Sequence, residues 1–160
     1  MNLTCAIPAI SLVDFSSSEV KTVTYNFSAL EPNQVEQLVS QTTDGTCWIN
    51  YSAIVRSGTS NYITAEVSNG ELPGDMTLYL LIGPDAGAGA GNTGSSNGQI
   101  ALTGYPQIII YNIGSCYTGR GMSMGHHLRY EWRNLDSDEV IVKPHGDYAV
   151  WVTYTISTTE

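Results

Sequence analysis

The chain has 160 residues, of which 13% are charged, and its formal net charge is −9 at pH 7. This length predicts one domain with a hydrophobic core of its own. The negative charge argues against a nucleic-acid partner or an anionic-membrane surface, because both need clustered Lys and Arg. No apolar run approaches the ~20 residues that a membrane-spanning helix requires.

The N-terminal segment, residues 1–18, is apolar at first and rich in serine at its end. Pro8 lacks a backbone N–H, which restricts this segment to an edge strand or an extended arm. We therefore expect a short N-terminal arm or edge strand over residues 1–18, followed by one β-sandwich domain over residues 19–160.

Alternating apolar and polar side chains predict strands along most of the chain. Turn residues such as Asn-Gly and Asp-Gly separate them, and no segment convincingly predicts a helix. The predicted strands are residues 20–27, 47–55, 62–67, 76–82, 99–102, 107–113, 127–133, 140–142 and 147–157. Many short strands with this spacing are typical of an all-β sandwich or barrel.

The last predicted strand is the longest uninterrupted one. Its side chains at spacing two share one face, and these are Tyr148, Val150, Val152, Tyr154 and Ile156. Neither Pro nor Gly interrupts residues 147–157, so we expect this strand to lie centrally, with hydrogen-bonded neighbours on both sides.

Glycine dominates the segment 85–98, and this predicts a mobile surface loop because glycine is costly to order. The segment lacks the Lys and the following helix of a phosphate-binding loop. We therefore expect no phosphate site there.

The ionisable residues favour a non-enzymatic protein without a metal or cofactor. His126 and His127 are adjacent, so on a strand they point to opposite faces and cannot both bind one metal ion without a bulge. His145 lies in a turn and is expected to be solvated. The G-x-S-x-G pattern occurs at residues 121–125, but within a predicted glycine-rich loop rather than between a strand and a helix, as a nucleophile elbow requires. The acidic pairs at Glu71 with Asp75 and along residues 136–139 lie in predicted turns.

Aromatic side chains supply the candidate ligand-binding residues. Trp151 lies on the hydroxyl-rich face of its strand, opposite the expected core, so it could stack against a sugar. Tyr148 and Trp132 are the other candidates for such a platform. The alternative for all three is packing in the core or between strands.

Three cysteines leave the redox state open. A disulfide between Cys47 and Cys116 would suit an exported sandwich, and two free buried thiols are the alternative. Cys5 would then be left to cross-link neighbouring chains.

Two blocks of short motifs occur in a familiar order. The first comprises CWINYSA (residues 47–53), NYITAEV (61–67) and ELPGDMTL (71–78), and the second comprises IGSCYTGRG (113–121), GHHLRY (125–130) and VWVTYTI (150–156). Together they resemble exported bacterial surface proteins of the fimbrial-subunit-like, Ig-like β-sandwich kind.

This resemblance implies a single Ig-like antiparallel sandwich with Greek-key connections. It also implies a periplasmic or cell-surface location and a structural or adhesive role among other subunits or surface proteins. It implies no catalytic residue. The start of the chain does not read as a leader peptide, so we interpret Met1 as the start of an exported chain without its leader. The alternative function is a carbohydrate- or ligand-binding module.

Overall fold

The computed structural model describes residues 10–17, 25–26, 41–42, 47–70, 76–134, 147–148 and 150–159. All the regular elements within these residues are β-strands, which confirms the all-β prediction. In chain order they are β1 (Ile10–Ser17), β2 (Tyr25–Asn26), β3 (Gln41–Thr42), β4 (Cys47–Ile54), β5 (Asn61–Gly70), β6 (Met76–Asp85), β7 (Ala90–Gly91), β8 (Ser95–Ser96), β9 (Gln99–Ala101), β10 (Gln107–Ile113), β11 (Cys116–Tyr117), β12 (His126–Asn134), β13 (Asp147–Tyr148) and β14 (Val150–Thr158).

Two antiparallel sheets pack against each other, so the predicted β-sandwich is confirmed. The eight-stranded sheet runs β7-β11-β4-β12-β6-β9, with β1 also paired to β4 and β3 to β12. The four-stranded sheet runs β14-β5-β10-β8, and β13 pairs with β2 in a separate ribbon. The Greek-key order of the connections stays a prediction.

The core lies between the sheets because each strand turns alternate side chains inward. In β6, for example, Leu78, Leu80 and Ile82 are buried while their neighbours are more exposed. The other buried apolar side chains are Ile49, Tyr51, Ala53, Ile63, Ala65, Leu102, Ile109, Ile110, Ile113, Leu128 and Trp132. Burial of such side chains stabilises the domain by about 1.5–3 kcal/mol each for the larger aliphatic ones.

The N-terminal segment contributes a strand to this sandwich. β1 pairs with β4 along its whole length, from Ile10 opposite Ile54 to Ser17 opposite Cys47. This part of residues 1–18 therefore belongs to the fold of its own domain, as an edge strand would. Residues 1–9, which include Cys5, lie outside the described residues.

The C-terminal strand pairs with β5 from Val150 opposite Gly70 to Thr158 opposite Asn61. The described residues place no second strand beside β14. Its predicted central position, with neighbours on both sides, therefore stays a prediction.

Polar side chains connect the two sheets. Asn61 in β5 donates from Nδ2 to Ser11 Oγ in β1 at 2.6 Å, and its Oδ1 accepts a hydrogen bond from Thr158 Oγ1 at 2.8 Å. The Tyr130 and Tyr154 hydroxyl groups, from β12 and β14, hydrogen-bond to each other. These side-chain bonds give the sheets a defined relative position in addition to apolar packing.

The segment 85–98, predicted to be a mobile surface loop, contains the short strands β7 and β8, so it is paired in part, and its mobility stays a prediction. Through them it pairs with β11 of one sheet and β10 of the other. Its glycines permit close backbone contact. A Cβ on Gly89 would lie 1.7 Å from the carbonyl oxygen of Tyr117, and one on Gly91 would lie 2.2 Å from that of Ser115.

The described residues include no helix with the length and apolarity needed to cross a membrane.

Candidate functional site

The outer face of the four-stranded sheet carries an exposed tryptophan. Alternation along β14 turns Val152 and Tyr154 toward the core and Trp151 and Thr153 outward. Trp151 is 57% exposed, which is unusual for so large an apolar ring. The prediction that Trp151 lies opposite the core is confirmed.

Hydroxyl groups lie on the same pair of strands as this indole. Thr153 Oγ1 donates to Ser68 Oγ at 2.7 Å, and Ser68 Oγ donates to the Trp151 carbonyl oxygen at 3.3 Å. Thr153 lies opposite Glu66, and Thr155 lies opposite Thr64 on the neighbouring strand. The β14–β5 pair therefore carries an exposed indole, the hydrogen-bonded hydroxyl groups of Thr153 and Ser68, and the Glu66 carboxylate.

Trp132, the second predicted binding residue, cannot contribute to this surface. It is 3% exposed and belongs to the core of the eight-stranded sheet, whereas Trp151 lies on the other sheet. The reason is the alternation of β12, which turns Trp132 inward together with Leu128. Its assignment as a ligand-binding residue was wrong.

Tyr148, the third predicted binding residue, lies in β13 opposite Tyr25 of β2. Its side chain lies outside the described residues, so a part in ligand binding stays a prediction. His145 and the acidic residues at 71–75 and 136–139 also lie outside the description.

The two described cysteines are free thiols. Cys116 lies opposite Ala53 on β4, and Cys47 begins the same strand. A strand rises about 3.3 Å per residue, so the two cysteines are roughly 20 Å apart along it. A disulfide needs Cα atoms within about 7 Å, so the predicted Cys47–Cys116 bridge does not fit this fold. Burial raises the pKa of both thiols.

The adjacent histidines point to opposite faces of β12, as the sequence predicts. His127 lies on the outer face, where its ring packs against that of Trp48 with centroids 4.9 Å apart and ring planes tilted by 32°. His126 points inward and is 1% exposed. The register of β12 against β6 shifts between His126 and Leu128, and this bulge lies at the pair.

His126 is the centre of a buried hydrogen-bond chain. Its Nδ1 lies 2.8 Å from the carbonyl oxygen of Gly83, and its Nε2 lies 2.9 Å from the Tyr51 hydroxyl. The Tyr51 hydroxyl donates in turn to the carbonyl oxygen of Thr93. Burial raises the pKa of Tyr51, and negative charge on neighbouring groups would raise it further.

Asp85 lies beside this chain. It is opposite His126 in the pairing of β6 with β12. Its Oδ2 accepts hydrogen bonds from Thr93 Oγ1 at 3.3 Å and from the Gly87 amide at 3.2 Å. Its Oδ1 is buried and has no hydrogen-bond partner in the structure.

The Tyr51–His126–Asp85 cluster was not predicted from the sequence. Its members come from three strands that are distant in sequence, and only the inward alternation of β12 pointed to a buried His126. Tyr51 and His126 are both buried, and Asp85 is half-buried. No group of three or more His, Cys, Asp or Glu side chains in the described part of the chain is arranged to hold a metal ion.

Comparisons with protein-family models, with curated proteins and with solved structures each found no match.

Proposed function

We propose that this chain is a non-enzymatic adhesive or structural domain of a bacterial cell-surface or pilus-like assembly, and that it adheres by binding carbohydrate. The observation that carries the proposal is Trp151, an indole exposed on a hydroxyl-rich sheet face. The motif resemblance supports the surface setting, and the burial of the described His126 cluster supports a role without catalysis.

The chemistry of the face fits a sugar. A pyranose ring has an apolar face of C–H groups that packs on an indole, while its hydroxyl groups exchange hydrogen bonds with side chains at the rim. Thr153 and Ser68 are held beside Trp151 by their mutual hydrogen bond, so they lose little conformational entropy on binding.

The charge of the face favours uncharged glycans. Glu66 lies opposite Thr153, beside the indole, and the whole chain has a net charge of −9. A carboxylated or sulfated sugar would be repelled there, because like charges close together raise the free energy of the complex.

A glycan array probed with the labelled chain tests this proposal. We expect binding to uncharged glycans, and we expect Trp151→Ala to weaken it by tenfold or more, equivalent to about 1.4 kcal/mol, since the indole supplies the apolar contact area for the sugar ring. Trp48→Ala is the matched control, because it removes an indole from the outer face of the other sheet. Equal binding by both variants, or no binding by the wild-type chain, would contradict the proposal.

A structural subunit without a glycan ligand is the second candidate, and the pairing of β1 favours it. The N-terminal segment completes the edge of its own sandwich, as stable subunits of an assembly require. Sedimentation of the wild-type chain separates the two candidates: concentration-dependent self-association with a blank glycan array would favour the structural role.

A further inference from the structure

The tripeptide Ser-Asn-Gly occurs twice in the chain, at residues 68–70 and 96–98. An asparagine before a glycine can modify itself. The next backbone nitrogen reaches the side-chain carbonyl carbon in a five-membered ring, and glycine has no side chain to block the approach. Both glycines have positive φ angles, +95° at Gly70 and +73° at Gly98, and both asparagines are exposed. Local sequence, glycine conformation and exposure therefore do not distinguish the two sites.

Asn69 is placed for this reaction. The Gly70 amide donates to Oδ1 of the Asn69 side chain at 2.8 Å. Because Oδ1 is bonded to Cγ at about 1.2 Å, the Gly70 nitrogen lies within roughly 4 Å of that carbon. Rotation of the side chain then brings the two atoms to reacting distance. Both residues lie at the end of β5, next to the register shift of β14 between Trp151 and Val152, so the reaction takes place beside a bulge.

Asn97 is held away from the same reaction. Its Nδ2 donates to the carbonyl oxygen of Ile108 at 2.6 Å, and its backbone amide donates to that of Ile109 at 2.9 Å. The carbonyl oxygen of Gly98 accepts a hydrogen bond from the Ile82 amide at 2.6 Å. Attack by the Gly98 nitrogen requires the Asn97 side chain to turn, which breaks its bond to Ile108.

We infer that Asn69 is a self-modification site, at which the chain converts an amide opposite Trp151 into a carboxylate. The Gly70 nitrogen loses its proton to hydroxide and attacks Asn69 Cγ. The new N–C bond forms, the Cγ–Nδ2 bond breaks, and Nδ2 takes up a proton from water and leaves as ammonia. Water then opens the succinimide ring. Attack at Cγ gives aspartate, and attack at the main-chain carbonyl gives isoaspartate, in which Gly70 stays bonded to Cγ. No oxidant or reductant takes part.

The modification alters the face that carries Trp151. Asn69 lies opposite Trp151 in the pairing of β5 with β14. Either product adds a negative charge there, on a chain whose net charge is already −9. Isoaspartate also adds a carbon atom to the backbone of β5 at its last paired residues, which disturbs the register with β14. The chemistry does not depend on what this face binds.

Mass spectrometry of the folded full chain, incubated in mildly alkaline buffer, tests the inference. The peptide with Asn69 should gain the mass difference between NH2 and OH and separate into aspartate and isoaspartate forms. This should proceed about tenfold or more faster than at Asn97, which must first open locally. In urea the two rates should agree within about twofold, because the fold no longer holds either site. Equal rates in the folded chain, or a preference for Asn69 that persists in urea, would overturn the inference.

Two variants extend the test. Asn69→Gln should abolish the modification at this position, because the longer side chain would have to close a six-membered ring. Asn97→Gln is the matched control and should leave the rate at Asn69 unchanged. Amides of residues 150–152 should exchange about tenfold faster in the isoaspartate form of the wild-type chain, and they should keep their rates when Asn69→Gln is incubated in the same way. Unchanged exchange in the isoaspartate form would refute the effect on β14.

Discussion

Two glycines of the segment 86–98 provide a test of why glycine is abundant there. Both have positive φ angles, +86° at Gly91 and +74° at Gly87. They differ in their surroundings. A Cβ at Gly91 would lie 2.2 Å from the Ser115 carbonyl oxygen, whereas a Cβ at Gly87 would have no atom within 4 Å. Alanine at each position therefore separates the cost of the backbone conformation from the cost of close contact.

The expected magnitudes follow from these contacts. A left-handed conformation costs an alanine about 1–2 kcal/mol at either site. At Gly91 the clashing atom is backbone, so β7 must also move away from β11, which costs roughly another 1–3 kcal/mol in overpacking. The adjacent bond from the Asn92 amide to Ser115 would be strained as well. We expect losses of about 1–2 kcal/mol for Gly87→Ala and about 3–5 kcal/mol for Gly91→Ala.

Urea denaturation of the two variants and the wild type, followed by far-ultraviolet circular dichroism, measures these losses. The slope of the free energy of unfolding against urea should stay constant if only the folded state changes. Equal losses in the two variants would refute a cost of close contact at Gly91, because they would show that β7 accommodates a methyl group without displacing β11.

Three further predictions concern the rest of the domain. Asn61→Ala should lower the free energy of unfolding by about 2–3 kcal/mol in urea, because two buried side-chain hydrogen bonds between strands are lost. Burial raises the pKa of Tyr130 and Tyr154 above the unfolded value of about 10. Stability should therefore be complete below about pH 10 and fall above it, and Tyr130→Phe should weaken this fall in thermal unfolding scans. Cys47 and Cys116 should each be alkylated more slowly in the folded chain than in urea, and mass spectrometry should find no bridge between them.

The strands were the most predictable part of the fold. The prediction of residues 107–113 coincides with β10, and that of residues 47–55 differs from β4 by one residue at its end. Period-two alternation specifies such strands locally, because each side chain is assigned to one face whatever the partner strand is. Strand partners were less predictable, since pairing depends on residues that are distant in sequence.

Trp132 shows how a correct local prediction can be used wrongly. The alternation over residues 127–133 placed Trp132 inward, with Leu128, and the structure places it there. The same alternation therefore excluded it from a surface site with Trp151. An aromatic side chain fits a sugar-binding surface or a core equally well, so the face of the strand decides which of the two Trp132 joins.

The segment 85–98 shows what a single sequence cannot distinguish. Glycine serves flexible loops, where it adds conformational freedom, and close backbone contacts, where its missing side chain creates room. Both kinds of segment are rich in glycine, so composition alone does not distinguish them. At Gly89 and Gly91 the difference lies in the partner residues, Tyr117 and Ser115, which are more than twenty residues further along the chain. The buried hydrogen bond between His126 and Tyr51 could not be predicted either, because the two residues are distant in sequence.

The buried Tyr51–His126–Asp85 cluster and the glycan face lie on connected strands, so coupling between them can be tested. The segment with β8 pairs with β10, β10 pairs with β5, and β5 pairs with β14, which carries Trp151. Transmission along this path would require a strand with two alternative arrangements. The described residues give no sign of one, since Ile109 and Ile110 of β10 are fully buried in the core.

We therefore expect Tyr51→Phe, which removes the hydroxyl group between His126 and Thr93, to bind the best array glycan with a Kd within about twofold of the wild type, a free-energy difference below about 0.5 kcal/mol. Trp fluorescence titrations would measure this, with Trp151→Ala as the variant that loses binding. Packed cores resist small displacements, so a loosened segment three strands away should leave Trp151, Ser68 and Thr153 in place. A larger change in Kd would mean that the buried cluster shapes the binding face.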